Sequence, residues 1–244
     1  MPKKDPIESF GVAGHVANFL LYESFRYAHD AAQYEVASIL FGKKLKNIEP
    51  VDSNWEYPEI PQSLDNWIIN QGMIIDSILD PKTTKLLSDA WYSSLKDAST
   101  SKIKISKSRQ LSSTTDIVGH IVNLTICLEA SLNRHLFYLR ESQQLEAQYY
   151  ASIDRSELMP KILFCFKEQI VEKTVHIDRI KQLVSMRNRS VHYRVDSPES
   201  LQPYVEDLLG IWHQLGQLFD LMYGEPNKSD IHKLANNFTT QWVV

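Results

Sequence analysis

The sequence predicts an all-α fold, and three features of the residue pattern support that prediction. Several segments repeat apolar residues at spacings of three and four, which places those side chains on one face of a helix. Alternating Val, Ile and Thr residues bounded by turns, the pattern of strands, are essentially absent. Glycine occurs only eight times in 244 residues, and neither a dinucleotide-binding nor a Walker-type glycine motif is present. We therefore expect a helical bundle with an amino-terminal helical portion packed on it.

Composition divides the chain into four predicted segments. Residues 1–98 form an amino-terminal helical region, and residues 99–111 form a Ser- and Lys-rich linker or loop. Residues 112–225 form the bundle, and residues 226–244 form a carboxy-terminal tail. The linker is either a solvated segment or a nucleic-acid arm, because it carries four basic residues and no acid. These residues are Lys102, Lys104, Lys107 and Arg109.

The amino-terminal region is predicted to contain helical stretches on both sides of a proline-rich connection. A long helix, or two abutting ones, covers residues 12–40 and ends near Gly42. Prolines within residues 48–63 exclude a regular helix there, so an ordered connection is expected. Shorter helical patterns follow over residues 64–79 and 83–97.

The bundle is predicted to contain four helical segments. They cover residues 116–150, a stretch that begins near Pro160, residues 174–193 and residues 198–223. The last segment has the most regular apolar spacing, so Trp212 is expected in the core rather than on a base-stacking surface. The second segment begins with four apolar side chains that we expect to be buried, Ile162, Leu163, Phe164 and Phe166.

Charge and cysteine content exclude several functional classes. The net charge of -4 and a pI of about 6.1 argue against a general nucleic-acid coat protein. Cys127 and Cys165 lie among apolar neighbours without zinc-ligand spacing, which indicates buried free thiols. No apolar run is long enough for a membrane helix, and the amino terminus has no apolar leader segment. We therefore expect a cytoplasmic protein with no membrane association, no metal and no cofactor.

One residue breaks the apolar stripe of the helix predicted over residues 174–193. Between Val184 and Val191 the stripe requires an apolar side chain, but the residue at that position is Arg187. An unpaired guanidinium in an apolar seam is costly, so Arg187 needs a carboxylate, a second subunit or a cavity open to an anionic ligand. Asn188 and His192 are four residues apart and share a helix face, and Arg187 is long enough to reach them.

The charges around this helix are strongly asymmetric. Between Lys173 and Arg194 six basic residues stand against one acid, a net charge of +5, whereas residues 196–225 carry six acids and no Lys or Arg. The basic helix can therefore pair with the acidic one, which is a purely structural explanation for most of these charges. Pairing of that kind does not require the order Arg-Asn-x-x-x-His.

The segment from Met186 to His192 resembles the R-N-x-x-x-H signature of the HEPN superfamily, whose all-α domains include toxin and defence ribonucleases. In that family the motif lies near the end of one bundle helix and another long helix follows it. An earlier helix often carries a Glu with a downstream Asn, and Glu129 and Asn133 look similar. The resemblance covers about residues 112–223, and it implies a HEPN-like bundle there.

The resemblance implies a metal-independent endoribonuclease that acts as a toxin or phage-defence effector. In that interpretation the catalytic residues are Arg187, Asn188 and His192. The resemblance also implies three supporting residues, which are Glu129, Asn133 and Tyr193. The RNA-binding residues that it implies are Arg189, Arg194 and Lys181. It further implies a homodimer with two motif helices across a two-fold axis, and an antitoxin or defence-system partner.

Other interpretations of the same residues remain open. The domain can be a non-catalytic RNA-binding, nucleotide-binding or scaffold module, or the motif can be structural. Glu129 can equally be an ion-pair partner for Arg134 or Arg187. Family members that pair with a nucleotidyltransferase antitoxin carry Tyr two residues after the His, whereas here Tyr193 follows directly and Arg194 takes the second place.

Overall fold

The computed structural model describes residues 6–47, 81–112, 115–191, 201–223 and 230–244. Within those ranges the chain is helical apart from short connections and two isolated bridges, which confirms the predicted all-α class. The predicted proline-rich connection and the predicted helix over residues 64–79 lie outside the described residues. The helices are α1 (Pro6–Leu45), α2 (Pro81–Ala98), α3 (Thr115–Glu141), α4 (Ala147–Asp154), α5 (Leu158–Cys165), α6 (Lys167–Val171), α7 (Asp178–Val191), α8 (Val205–Tyr223) and α9 (Asp230–Trp242). None of these described helices is long and apolar enough to cross a membrane.

The chain folds into two compact units that interleave along the sequence. The first unit comprises Met1–Arg26, Gly119–Pro198 and Asp207–Asn237, and the second comprises Tyr27–Val118, Glu199–Glu206 and Phe238–Val244. The four segments predicted from composition are instead continuous stretches of the sequence. Their boundaries stay a prediction.

The core of the first unit forms around the apolar face of α3. Its buried side chains recur at spacings of three and four, as the sequence predicts, and they are Ile121, Leu124, Leu128 and Leu132. Burying each such side chain stabilises the fold by roughly 1.5–3 kcal/mol. Trp212 of α8 is also buried, and its ring lies 4.9 Å from that of Phe25, which confirms its predicted core position.

A buried histidine joins three helices of the first unit. The indole Nε1 of Trp212 donates to Nε2 of His120 at 3.0 Å, and Nδ1 of His120 lies 2.8 Å from the carbonyl oxygen of Ser24. An indole N–H can only donate, so Nε2 carries no proton and the imidazole is neutral with its proton on Nδ1. The polar ring is therefore satisfied within an apolar core.

The second unit packs α2 against the carboxyl-terminal half of α1. The ring of Trp91 lies 5.1 Å from that of Tyr34 and 5.6 Å from that of Phe41, both in edge-to-face geometry. The buried carboxylate of Glu35 accepts hydrogen bonds from Arg109 Nε at 2.6 Å and from Ser112 Oγ at 3.1 Å. Residues 101–112, which include most of the predicted linker, are thereby held on α1.

The helix predicted over residues 116–150 is interrupted. Helix α3 ends at Glu141, and Gln143 adopts a positive φ of 60°. The backbone amides of Gln144 and Leu145 then both donate to the carbonyl oxygen of Leu139, at 2.9 and 3.0 Å. These bonds satisfy a helix end in the manner of a left-handed C-cap. The continuous helix of the sequence analysis is therefore wrong in this region.

The last bundle helix begins later than predicted, at Val205 rather than at residue 198. The residues just before it pair with the segment that precedes α3, because Leu111 donates its amide to the carbonyl of Pro203 at 2.9 Å and Val205 donates to that of Arg109 at 3.0 Å. This pairing holds the residues just before α8 against the segment that precedes α3. Residues 226–244, assigned from the sequence to a tail, contain α9.

The start of the second bundle segment is only half buried. Ile162 and Phe166 lie in the core, whereas Leu163 and Phe164 are 46% and 44% exposed. The buried face of helix α5 consists of Leu158, Lys161 and Ile162, so Leu163 and Phe164 turn outward. The prediction that all four side chains are buried is therefore wrong for two of them.

Candidate functional site

A cavity of about 450 Å³ opens in the first unit between α3, the start of α5 and α7. Its volume lies in the range of pockets that hold small molecules or cofactors. Both polar and apolar side chains line it, and they are Thr125, Glu129, Glu157, Leu158, Met159, Val184, Arg187 and Asn188. The cavity therefore brings together three of the residues singled out from the sequence, Glu129, Arg187 and Asn188.

Arg187 lies beside the core rather than inside it, which corrects the apolar stripe predicted for this helix. The buried face of α7 consists of Ile180, Leu183 and Met186, and Val191 is 49% exposed. The buried stripe is therefore shifted by one residue toward the amino terminus of the helix, with Leu183 and Met186 in the positions predicted for Val184 and Arg187. Arg187 follows the buried Met186 directly, so its half-buried side chain reaches the cavity wall.

The guanidinium of Arg187 makes no ion pair with any described residue. Its Nη1 donates to Oδ1 of the neighbouring Asn188 at 3.2 Å in a solvent-exposed contact. The ion pair with Glu129 considered from the sequence is not formed, and Arg134 instead donates to Tyr138 Oη at 3.3 Å. A half-buried guanidinium with a neutral partner retains most of its capacity to bind an anion.

The two carboxylates of the cavity come from different helices. Glu129 lies on α3 one turn after Thr125, and Glu157 is the residue that precedes α5. The backbone of Glu157 is extended, with φ of -64° and ψ of 165°, and its side chain does not cap the helix. Both carboxylates therefore stay available to a ligand, and they give the described wall a net negative charge despite Arg187.

Asn133, predicted as a supporting residue, lies one helical turn beyond Glu129 and binds a buried lysine. Lys161 is 3% exposed, and its Nζ donates to Oδ1 of Asn133 at 2.7 Å. Cys165 lies one turn after Lys161, and burial raises the pKa of its thiol to about 11 even though the charge of Lys161 acts in the opposite direction. Cys165 is half buried, in contrast to the predicted burial, whereas Cys127 is buried as predicted.

Two of the predicted RNA-binding residues, Lys181 and Arg189, do not line the cavity. Lys181 is exposed, and its Nζ lies 3.6 Å from Oδ1 of Asp178 on the same helix. Arg189 is exposed on another side of α7. Predicted residues His192, Tyr193 and Arg194 lie outside the described residues. Within the part of the chain that the structure describes, no three His, Cys, Asp or Glu side chains form a group that could hold a metal.

Pairing between the basic and acidic segments explains part of the charge asymmetry. Arg179 of α7 forms an ion pair with Asp207 of α8, and its backbone amide donates to Oε1 of Gln214 at 2.9 Å. This contact attaches the first turn of α7 to α8. Arg187, two turns later, is not part of that pairing.

Comparison of the chain with known protein families, curated proteins and solved structures found no match.

Glu157 is the charged cavity residue that the periodic sequence pattern does not indicate. The signal for it is Pro160, because proline is favoured in the first turn of a helix and so places the helix start two or three residues earlier. A carboxylate just before that start lies close to the helices that pack on the end of α5. Lys161 carried no comparable signal, since a lysine in an eight-residue helix is usually exposed.

Proposed function

We propose that this chain is a metal-independent endoribonuclease of the HEPN type, acting as a toxin or phage-defence effector. One observation supports this proposal above the others. The half-buried guanidinium of Arg187 lies on the wall of a cavity beside Asn188 and Glu129, without an ion pair to any described residue. A phosphodiester supplies the anionic oxygens that such a group binds most strongly.

The reaction needs one cation and two proton transfers. The ribose 2′-oxygen attacks the adjacent phosphorus and passes its proton to a base, while the bond from phosphorus to the 5′-oxygen breaks and an acid protonates that oxygen. Arg187 stabilises the charge that develops on the phosphorane oxygens. Asn188 orients Arg187 through its amide oxygen and leaves its amide N–H groups for the ligand.

Two residues divide the proton transfers in this proposal. His192 follows Asn188 by four positions in the sequence, and imidazole titrates near neutral pH, so it protonates the leaving oxygen. Glu129 is a carboxylate on the same cavity wall as Arg187, and it accepts the proton of the 2′-hydroxyl. The products are then a 2′,3′-cyclic phosphate and a 5′-hydroxyl.

A second candidate function is non-catalytic nucleotide binding, and the two cavity carboxylates favour it. Glu129 and Glu157 repel a polyanionic strand, yet carboxylates accept hydrogen bonds from the exocyclic amino groups of bases. A cavity of about 450 Å³ is also large enough for a single nucleotide. In this alternative Arg187 binds a phosphate and no bond is broken.

The ends of the RNA products distinguish these functions. We propose incubating the full chain with an end-labelled RNA in EDTA and mapping the products, with the His192→Ala and Arg187→Ala variants in parallel. The proposal predicts cyclic phosphate ends that both variants lose. Nucleotide binding that depends on Arg187, without any cleavage by the wild-type chain, establishes the binding module instead. Cleavage that needs a divalent ion contradicts the mechanism.

The biological context is part of the same proposal. A ribonuclease of this kind acts on cytoplasmic RNA, and an antitoxin or defence-system partner restrains it until it is needed. If a gene for a small partner protein lies beside the gene for this chain, that arrangement supports the interpretation. Coexpression of the partner is then expected to suppress RNA cleavage.

A further inference from the structure

A basic segment of the second unit, residues 102–109, forms backbone hydrogen bonds at Ile105, near its middle, and at Arg109, its carboxyl end. The amide of Ile105 donates to the carbonyl of Trp242 at 2.8 Å, and the amide of Val244 donates back to Ile105 at 3.0 Å. Further along, the carbonyl of Arg109 accepts the amide of Val205 at 3.0 Å. The backbone from Ile105 to Arg109 is therefore held against neighbouring segments of the second unit.

Lysines lie on the outward face of this segment. Ile105 is buried and Ile103 half buried, whereas the alternate residues Lys102 and Lys104 are exposed. Alternate residues of an extended chain lie about 6.6–6.8 Å apart and point to the same side. Lys107 is exposed beyond the turn that follows.

The charges of these three lysines are not neutralised by acids. Nζ of Lys104 donates to the carbonyl oxygen of Thr240 at 2.8 Å, and neither it nor Lys102 nor Lys107 makes an ion pair with a described residue. Arg109, the fourth basic residue, pairs with the buried Glu35 and is therefore structural. The segment thus carries a net positive surface in an acidic protein.

An exposed aromatic side chain lies at one end of the lysines. Tyr204 is 43% exposed, and its backbone forms an isolated bridge with Gln110. Glu206, two residues after Tyr204, donates its backbone amide to the carbonyl of Lys107 at 2.9 Å, so Tyr204 and Lys107 belong to the same pair of hydrogen-bonded segments. Glu206 is itself exposed and places one acid at this end of the surface.

We propose that the basic strip formed by Lys102, Lys104, Lys107 and Tyr204 binds single-stranded RNA. Proteins that bind single strands combine a positive track along the phosphates with aromatic rings on which bases stack. The strip offers both, and the spacing of its first two lysines suits successive phosphates of an extended strand. The inference rests on the proposed function for its choice of RNA as the ligand. The strip belongs to the second unit, whereas the candidate catalytic residues belong to the first.

Binding of an uncleavable RNA tests this proposal separately from catalysis. The probe is a fluorescein-labelled 2′-O-methyl oligouridylate of about 20 nucleotides, because single-strand sites cover roughly 4–16 nucleotides. Its methylated 2′-oxygen cannot attack phosphorus. The full chain is compared with the triple variant Lys102→Gln, Lys104→Gln, Lys107→Gln by fluorescence anisotropy across a salt series. Circular dichroism and thermal unfolding establish that each variant is folded.

A second triple variant serves as the matched control, Lys43→Gln, Lys85→Gln, Lys167→Gln. It removes the same charge from exposed lysines that are not on the strip. Loss of three phosphate contacts is expected to weaken binding roughly tenfold or more at low salt and to reduce the salt slope by about 2. The control is expected to change affinity less than about threefold. Tyr204→Ala is expected to weaken binding roughly fivefold, through lost stacking.

Equal affinities of the strip variant and the control overturn the proposal. So does a strip variant that loses binding to phosphatidylserine vesicles but keeps binding the RNA, since the strip then recognises a lipid surface.

The Arg187→Ala variant separates the two proposals. If strip variants lose binding while no protein cleaves RNA, the strip stands and the ribonuclease fails. If Arg187→Ala abolishes cleavage while strip variants bind normally, the ribonuclease stands and the strip fails.

Discussion

Nζ of Lys161 donates a hydrogen bond of 2.7 Å to Oδ1 of Asn133. Lys161 is only 3% exposed to solvent, so the Asn133 amide is the partner of a buried ammonium group. Burying a charged or polar group costs free energy unless hydrogen bonds replace its water. Asn133 therefore has a structural task that its neighbour Glu129, one turn earlier on α3, does not share. The Glu-x-x-x-Asn pair found in the sequence thus separates into one residue on the cavity wall and one that satisfies a buried lysine.

Removing the partner of Lys161 is expected to destabilise the first unit. Asn133→Ala leaves the buried Nζ without its acceptor, which costs about 1–3 kcal/mol in the free energy of unfolding. Asn133→Asp keeps an oxygen in place and is expected to lose less. Urea unfolding at pH 7 followed by circular dichroism measures both variants. A loss below about 0.5 kcal/mol for Asn133→Ala contradicts the assigned role, since that is the range of neutral surface changes.

Two half-buried histidines make stability depend on pH. Burial lowers the pKa of His29, against the opposing charge of Asp30, and burial likewise lowers the pKa of His135. Nδ1 of His29 also accepts a hydrogen bond from Trp242 Nε1 at 2.7 Å, which requires that nitrogen to be unprotonated. The unfolded chain therefore binds more protons than the folded chain as the pH falls below about 6.5.

The free energy of unfolding is thus expected to be highest above pH 6.5 and to fall as the solution becomes more acidic. The slope cannot exceed about 1.4 kcal/mol per pH unit for each histidine. The double variant His29→Gln, His135→Gln removes both titrating groups, so its unfolding free energy is expected to change less between pH 7.5 and 5.5. Identical slopes for the variant and the wild type contradict this explanation.

Two glycines of α8 provide a matched test of packing. A Cβ at Gly216 would lie 2.7 Å from both ring nitrogens of His232, whereas one at Gly210 would lie 2.9 Å from Nε of Arg179. Alanine favours a helix by roughly 1 kcal/mol over glycine. At Gly216 the imidazole has to move, so a net loss of about 1–3 kcal/mol is expected. At Gly210 the middle of the Arg179 side chain, which the ion pair with Asp207 holds, has to shift by less, so a smaller net loss is expected. Thermal unfolding of the two variants measures the contrast, and equal changes refute it.

The sequence predicted the fold class and the face of α3 because long amphipathic segments specify both. Spacings of three and four could not fix the register of α7, since Leu183 and Val184 each continue a stripe that starts at Ile180. Packing selects Leu183 and so moves Arg187 out of the seam. Helix α9 was missed although its signal was present, at Ile231, Leu234, Phe238 and Trp242.

The candidate site was predictable only in part. Arg187, Asn188 and Glu129 were found because a motif marks them, and the structure places all three on one cavity. Glu157 comes from a connection between short helices, where periodicity carries little information. The break after Glu141 depends on the positive φ of Gln143 and on hydrogen bonds to the carbonyl oxygen of Leu139. No glycine or proline in the sequence marks this position.

The homodimer implied by the family resemblance is a further expectation. Light scattering at micromolar concentration is expected to give twice the chain mass of 28.2 kDa. Apolar side chains remain exposed on α1, and their spacing of three places them on one face: Val16, Phe19 and Tyr22. A strict monomer under these conditions argues against two composite sites across a two-fold axis.

In the proposed mechanism Arg187 stabilises the charge that develops on the phosphorane oxygens during RNA cleavage. The most direct test is the single-turnover rate constant for RNA cleavage in EDTA, measured for Arg187→Ala and for Arg189→Ala. Both variants remove one arginine from the same helix, but Arg187 lines the cavity and Arg189 does not. We expect Arg187→Ala to lower the rate constant roughly 100–1000-fold and Arg189→Ala to change it only a few-fold. Cleavage by Arg187→Ala at the wild-type rate, or an equal loss in both variants, contradicts the claim.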